Sequence, residues 1–208
     1  MYAIKLFEPS VMPYELCIRE IVIQIQMKHH AILPFYSWGD NCKYEDYGEV
    51  PFIISPLMKN GSLDLHIYKN KIKELNPTKR MIIIYGTAVG MKHLHDKGII
   101  HRYLKPANIL LDDHYHPYIN DYGFTLLVPS STSFLNRYEN PIYTAPELLE
   151  CDEVLSNEID VYSFGVIMFN VLTGKQFCEF KNAFIINKNI LEGYRPSIPK
   201  EINEFYTD

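Results

Sequence analysis

No apolar run in this 208-residue chain approaches the length of a membrane span; stretches such as Met81 to Tyr85 fall far short of the ~20 residues a bilayer requires. The opening Met1-Tyr2-Ala3-Ile4-Lys5 has neither a basic n-region nor a long apolar h-region, so no secretory leader is expected. Cysteine is sparse, and Cys17, Cys42, Cys151 and Cys178 never approach Cys-x-x-Cys spacing. That argues against a zinc knuckle or a small disulfide framework and favours free thiols in a reducing cytoplasm. Positive charge is not in excess: the formal net charge is −5, so no basic field invites nucleic acid or an anionic membrane, and neither is an expected partner. None of the ten glycines falls in a Gly-x-Gly-x-x-Gly pattern. At 47% hydrophobic and 22% charged residues the composition is that of an ordinary globular protein, which argues against disorder.

In chain order, Tyr2 to Phe7 reads as one strand. Pro9 and Pro13 break the chain, and from Tyr14 to Lys28 the residues Leu16, Ile18, Ile21, Val22 and Ile25 recur at roughly helical spacing, predicting a helix with these positions inward. Ile32 to Trp38 and Val50 to Leu57 predict two strands around a polar loop, Gly39 to Gly48. Gly61 suits a turn and Ser62 a helix cap. Thr78 to His95 predicts a long helix whose inward face is Met81, Ile84, Tyr85, Ala88, Met91 and Leu94, ended by Lys97-Gly98. His93, His95 and His101 invite a metal reading, but no carboxylate or cysteine ligand set accompanies them, so packing and hydrogen-bonding roles are expected.

From His101 to Asn108 the chain reads His-Arg-Tyr-Leu-Lys-Pro-Ala-Asn, followed by Ile109, Leu110 and Leu111. This resembles the catalytic loop of protein kinases, His-Arg-Asp-Leu-Lys-Pro-x-Asn, with Tyr103 in place of the aspartate. Other pieces stand around it in the family's order. Ala3-Ile4-Lys5 resembles the Val-Ala-Ile-Lys strand, and Arg19-Glu20-Ile21 resembles the regulatory helix whose glutamate pairs with the strand lysine. Asp121-Tyr122-Gly123 is similar to Asp-Phe-Gly, and Tyr143-Thr144-Ala145-Pro146-Glu147 to the segment ending in Ala-Pro-Glu. Asp160 to Val166 resembles the helix that supports the catalytic loop through a buried aspartate, and Gly193-Tyr194-Arg195-Pro196 the end of the next helix.

The resemblance, to the tyrosine-kinase-like group, implies an α+β, two-lobed fold, with residues 1–58 a partial small lobe and hinge and 59–208 a partial, mostly helical large lobe. It implies that Ala3, Lys5, Glu20, Ser55, Leu57, Met58, Leu110 and Asp121 line or organise a nucleotide site. Pro56 to Met58 would form the hinge, where Pro56 removes one backbone donor. Asn108 and Asp121 would hold magnesium, so that ATP and Mg are the implied cofactors and a protein the implied substrate or partner. Lys105 matches the lysine of serine/threonine and tyrosine-kinase-like members.

Departures point away from catalysis. The family's aspartate accepts the substrate hydroxyl's proton, whereas a phenol at position 103 is a neutral donor with a ring where a small carboxylate belongs. Glu139-Asn140-Pro141 replaces Gly-Thr-Pro, whose threonine contacts that aspartate, and Gln24 stands where an apolar residue joins the stack behind Asp121, which predicts a less firmly held helix. The glycine-loop strands would precede Met1, and the last helices, with the arginine that pairs with Glu147, would follow Asp208, so the fold reads as incomplete at both ends. Three readings follow: a cytoplasmic pseudokinase acting as a regulatory or interaction module, a weak serine/threonine kinase, and a gene fragment without a stable fold. Ser130 to Ser133 read as a polar loop in preference to a phosphorylated one.

Overall fold

The computed structural model describes residues 1–8, 13–44, 48–69, 71–121, 141–150, 156–178, 182–200 and 202. Tyr122, Gly123, Ser130 to Ser133, Glu139, Asn140, Cys151 and Asp208 lie outside the described residues.

A small antiparallel sheet comes first. Strand β1 (Tyr2–Leu6) pairs with β3 (Glu49–Pro56), and β3 pairs with β2 (Ser37–Lys43), giving the order β1-β3-β2. The second strand therefore lies later than its hydrophobic run suggested. Ser37 to Lys43 carries little apolar content, yet it is backbone-paired to β3. Ile32 instead makes an isolated parallel bridge to Ile119. The reason is tertiary: Ile32 is fully buried in the core beneath the sheet, and the chain only becomes sheet once it has left that core.

Helix α1 (Tyr14–Gln26) crosses the sheet and buries Leu16, Cys17, Glu20, Ile21, Ile23 and Gln24. This corrects the inward face expected from apolar spacing, since Val22 and Ile25 are exposed. Two polar side chains took inward places because each has a partner there. Its first turns pack with Phe7 and Ile53 in a small cluster, while Ile23 and Met27 reach into the main core.

That main core belongs to the helical lobe. Helix α2 (Leu63–Tyr68) follows Gly61, whose φ of +67° makes the turn, but Ser62 at the cap position makes no side-chain capping bond. Helix α3 (Pro77–Asp96) is capped by Asn76, whose side chain accepts from the Lys79 N–H at 2.9 Å. Its buried face is Ile83, Ile84, Thr87, Gly90, Met91 and Leu94, so Met81 and Tyr85, expected inside, are exposed. The face turns because glycines let a strand in close. A Cβ at Gly86 would come within 2.5 Å of Pro117 Cγ, and one at Gly90 within 2.7 Å of Ile119 Cδ1 and 3.0 Å of the Ala31 carbonyl. Both partners belong to β5 (Pro117–Ile119) or its neighbour, and β5 pairs with β4 (Ile109–Leu111).

Gly90→Val should therefore destabilise the chain by about 1–3 kcal/mol, since one of the blocking atoms is backbone and cannot rotate away. A denaturant midpoint equal to or above that of the wild type would contradict this packing.

Helix α4 (Pro146–Glu150) is short, and α5 (Glu158–Thr173) runs through the core, where Ser163 Oγ donates to the Tyr143 carbonyl at 2.7 Å and Asn170 accepts from the Tyr143 hydroxyl at 3.0 Å. Helix α6 (Ala183–Leu191) closes against the same core through Ile186 and Ile190.

Candidate functional site

The site forms where the sheet, α1 and the β4–β5 hairpin meet. In β1, Ala3 lies opposite Ser55 and Lys5 opposite Ile53, so alternation sends Ala3 and Lys5 to one face. Glu20, fully buried on α1, accepts a bond from Lys5 Nζ at 2.5 Å. Asp121, just beyond β5, accepts from the same ammonium at 3.1 Å and sits at φ +72°, a left-handed conformation uncommon outside glycine. The expected pairing of Lys5 with Glu20 is thus formed, and Asp121 joins it.

Electrostatics follow from burial. Loss of water, which outweighs the pull of the Lys5 ammonium and is reinforced by the Asp121 charge, leaves the Glu20 carboxyl pushed up to about 7. Burial works to lower Lys5, but the Asp121 and Glu20 carboxylates together outweigh it and hold the ammonium above its usual range. Glu20 Oε2 is buried with no hydrogen-bond partner among the described residues, so one unmet acceptor sits beside the Lys5 pair.

Gln24 corrects an expectation. Rather than loosening α1, it is 2% exposed and its Nε2 donates to the Leu33 carbonyl at 3.3 Å. A polar tether does there what an apolar side chain would do by packing. Only the buried carbonyl of Leu33 reveals it, and no local pattern announces that partner.

The loop from His101 to Asn108 is held from beneath. Asp160, 1% exposed at the start of α5, accepts from the backbone N–H groups of His101 and Arg102, each at 2.8 Å, and engages His95 Nε2 at 2.9 Å. Arg102 has φ +62°, so the carboxylate holds a strained residue in place. His101 Nε2 meets the Asn120 carbonyl at 3.1 Å, and the Asn120 N–H donates to the Asn108 carbonyl at 3.0 Å, tying this loop to the residue before Asp121. Asn120 and His95 were not singled out as site residues by sequence; adjacency to Asp121 was the one signal available for Asn120.

Tyr103 and Lys105 contact each other. Lys105 Nζ donates to the Tyr103 hydroxyl at 2.6 Å and lies 3.9 Å from the ring centroid. Asn108 Nδ2 donates to the Tyr103 carbonyl at 2.8 Å, which turns its amide oxygen away from that contact. At the hinge, Ser55 is buried, Met58 half-buried and Leu57 exposed, and the Leu57 N–H donates to the Met1 carbonyl at 3.3 Å. Leu110 is bridged to Ser62 and paired with Tyr118. Six of the polar residues expected at the site thus fall into two bonded groups, Lys5–Glu20–Asp121 and Tyr103–Lys105–Asn108, joined through Asn120, while Ser55 lies apart from both.

The site therefore holds a lysine shared between two carboxylates, beside a loop fixed by a buried aspartate. In comparison with known proteins the chain matches the protein kinase domain over residues 1–205, and it belongs to the protein kinase family. It is 37% identical over 151 residues to a protein of Acanthamoeba polyphaga mimivirus named as a serine/threonine-protein kinase/receptor, covering 72% of this chain and 9% of that protein. It is 32% identical over 177 residues to the Arabidopsis thaliana leaf rust 10 disease-resistance locus receptor-like protein kinase-like 1.4, covering 83% and 26%. With the dual specificity protein kinase pyk3 of Dictyostelium discoideum it shares 32% identity over 201 residues, covering 96% and 14%. The chain therefore spans at most about a quarter of the length of these relatives. Among the described residues, no helix is long and apolar enough to cross a membrane.

Proposed function

We propose that this chain is a kinase-fold regulatory or interaction module of the cytoplasm, a pseudokinase that recognises a protein partner and transfers phosphate poorly or not at all. Its small lobe and hinge are residues 1–58 and its large lobe residues 59–208. The observation that carries this reading is the Tyr103–Lys105 contact. The phenol stands where the family has its general base, and Lys105, which matches the lysine of serine/threonine and tyrosine-kinase-like members, is bonded to that phenol.

The residues present fit magnesium and ATP in kind. Asn108 keeps an amide oxygen and Asp121 a carboxylate, oxygen donors that would hold a hard cation, and such a cation would supply neutralisation of phosphate charge. Lys5 would take the α and β phosphates, oriented by Glu20; Ala3, Ser55, Leu57, Met58 and Leu110 would surround the base. In this structure Lys5 holds Asp121 Oδ1, so loading the site requires that contact to be exchanged.

A weak serine/threonine kinase is the second reading. The formed Lys5–Glu20 pair favours it, as does the naming of the mimivirus relative. Mg·ATP at about 100 times its dissociation constant should stabilise the folded chain by about 2.7 kcal/mol. For a domain of this size that is a melting shift of roughly 5–10 °C. The shift is expected to vanish in Asp121→Ala. A cooperative melt indifferent to nucleotide would remove ATP from both readings and leave a partner-binding module.

A further inference from the structure

Three imidazoles gather where α1 hands the chain to the large lobe, His29 stacked on His93 and tilted at 37° to His30. His29 and His30 have ring centroids 4.0 Å apart, and His29 lies nearly parallel to His93 of α3, at 4.7 Å and 15°. Parallel rings aim their lone pairs side by side rather than at one point. Consistently, the described residues contain no group of three His, Cys, Asp or Glu placed to hold a metal.

The protonation state of His29 can be read from its bonds. Its Nδ1 accepts the Ala31 N–H at 3.2 Å, so the neutral ring carries its proton on Nε2. A second proton has only Nδ1 to occupy, and taking it removes the acceptor that Ala31 uses. It also places a cation between two other imidazoles. Burial and then the His30 and His93 charges lower the His29 pKa, and among the described residues no carboxylate offsets them. On α3 the Asp96 carboxylate is bonded by Lys92 and also acts on His93 and His95, while β5 presents the apolar Pro117 and Ile119 to Gly86 and Gly90 of α3.

The segment that His29 anchors is the joint between the two halves of the site. Ala31, Ile32 and Leu33 are buried; the Ala31 carbonyl accepts from the Ile119 N–H at 2.9 Å, and the Leu33 N–H donates to the Ile119 carbonyl at 2.9 Å. Gln24 of α1 grips Leu33, and Ile119 is two residues from Asp121. We propose that the His29–His30–His93 cluster is a pH-sensitive clamp that fastens α1 to the large lobe while the His29 ring is neutral and releases the Ala31–Leu33 joint when that ring takes up a second proton. Release would loosen the seat of α1 and so the placement of Glu20 against Lys5.

The sign follows from linkage. A histidine held below its ordinary 6.5 binds fewer protons folded than unfolded, so its contribution to stability is complete above that pH and declines as pH falls below it. The test is amide hydrogen exchange on the full chain at pH 7.5 and 5.5, corrected for intrinsic rates. Wild-type protection at Ala31, Leu33 and Ile119 should fall about fivefold on acidification, the factor that one lost neutral hydrogen bond is worth, while α5 stays unchanged. His29→Asn can accept the Ala31 N–H through its side-chain oxygen without titrating, and should show no such fall. Equal losses in both proteins, or none in the wild type, would overturn the clamp. Should the variant not fold, imidazole titration of the wild type by NMR decides: a His29 midpoint below 6.5 is expected, and one at or above it refutes the proposal.

Discussion

Tyr103→Asp is expected to raise phosphotransfer to a generic protein substrate by about 10²- to 10⁴-fold over the wild-type chain, the contribution of one positioned general base. The substitution does two things at once. It supplies a carboxylate where the substrate hydroxyl would lose its proton, and it frees Lys105, which the phenol now holds at 2.6 Å. Tyr103→Phe separates these effects. Without a hydroxyl the lysine loses its acceptor but keeps the ring 3.9 Å away, and no base appears, so activity should stay near the wild-type level. An aspartate variant that still shows the Mg·ATP melting shift but transfers no more phosphate than wild type would mean that Tyr103 is not what limits this chain.

The largest loss of stability is expected from Asp160→Ala, about 3–5 kcal/mol, as for a buried charge network broken by removing one partner. Three donors depend on that carboxylate: the backbone N–H groups of His101 and Arg102, and the His95 ring. Alanine would leave them without this acceptor. Arg102, at φ +62°, would also lose the contact that offsets its strain. In a thermal melt the effect should be a fall on the order of 10 °C. Asp160→Asn, which keeps the volume and one acceptor oxygen, should fall less. A melting temperature for the alanine variant within about 2 °C of wild type would show that the loop is held by something other than Asp160.

Much of the fold was legible because it is written locally. The helix predicted from Thr78 to His95 is found at Pro77–Asp96, and Tyr14 to Lys28 at Tyr14–Gln26, since proline breaks and apolar recurrence act within a few residues of chain. The inward faces were less legible. Val22, Ile25, Met81 and Tyr85 are apolar and exposed, whereas Glu20, Gln24, Thr87 and Gly90 are inside. Apolar spacing registers a side chain's own preference for leaving water. It is blind to a partner that makes burying a polar group tolerable, or to a neighbour that needs the space a missing side chain leaves.

By itself, then, the sequence determined membership of a family and the order of its parts, because motifs such as His101 to Asn108 and Asp121 are contiguous and their chemistry needs those residue types. Tertiary structure alone decided how the parts meet beyond the expected Lys5–Glu20 pair: that Asp121 joins that pair, that Gln24 tethers α1 to Leu33, and that Lys105 turns onto Tyr103. The physical reason is range. A buried hydrogen bond or ion pair is worth making only when its partner arrives from elsewhere in the chain with the right distance and direction, and folding supplies both.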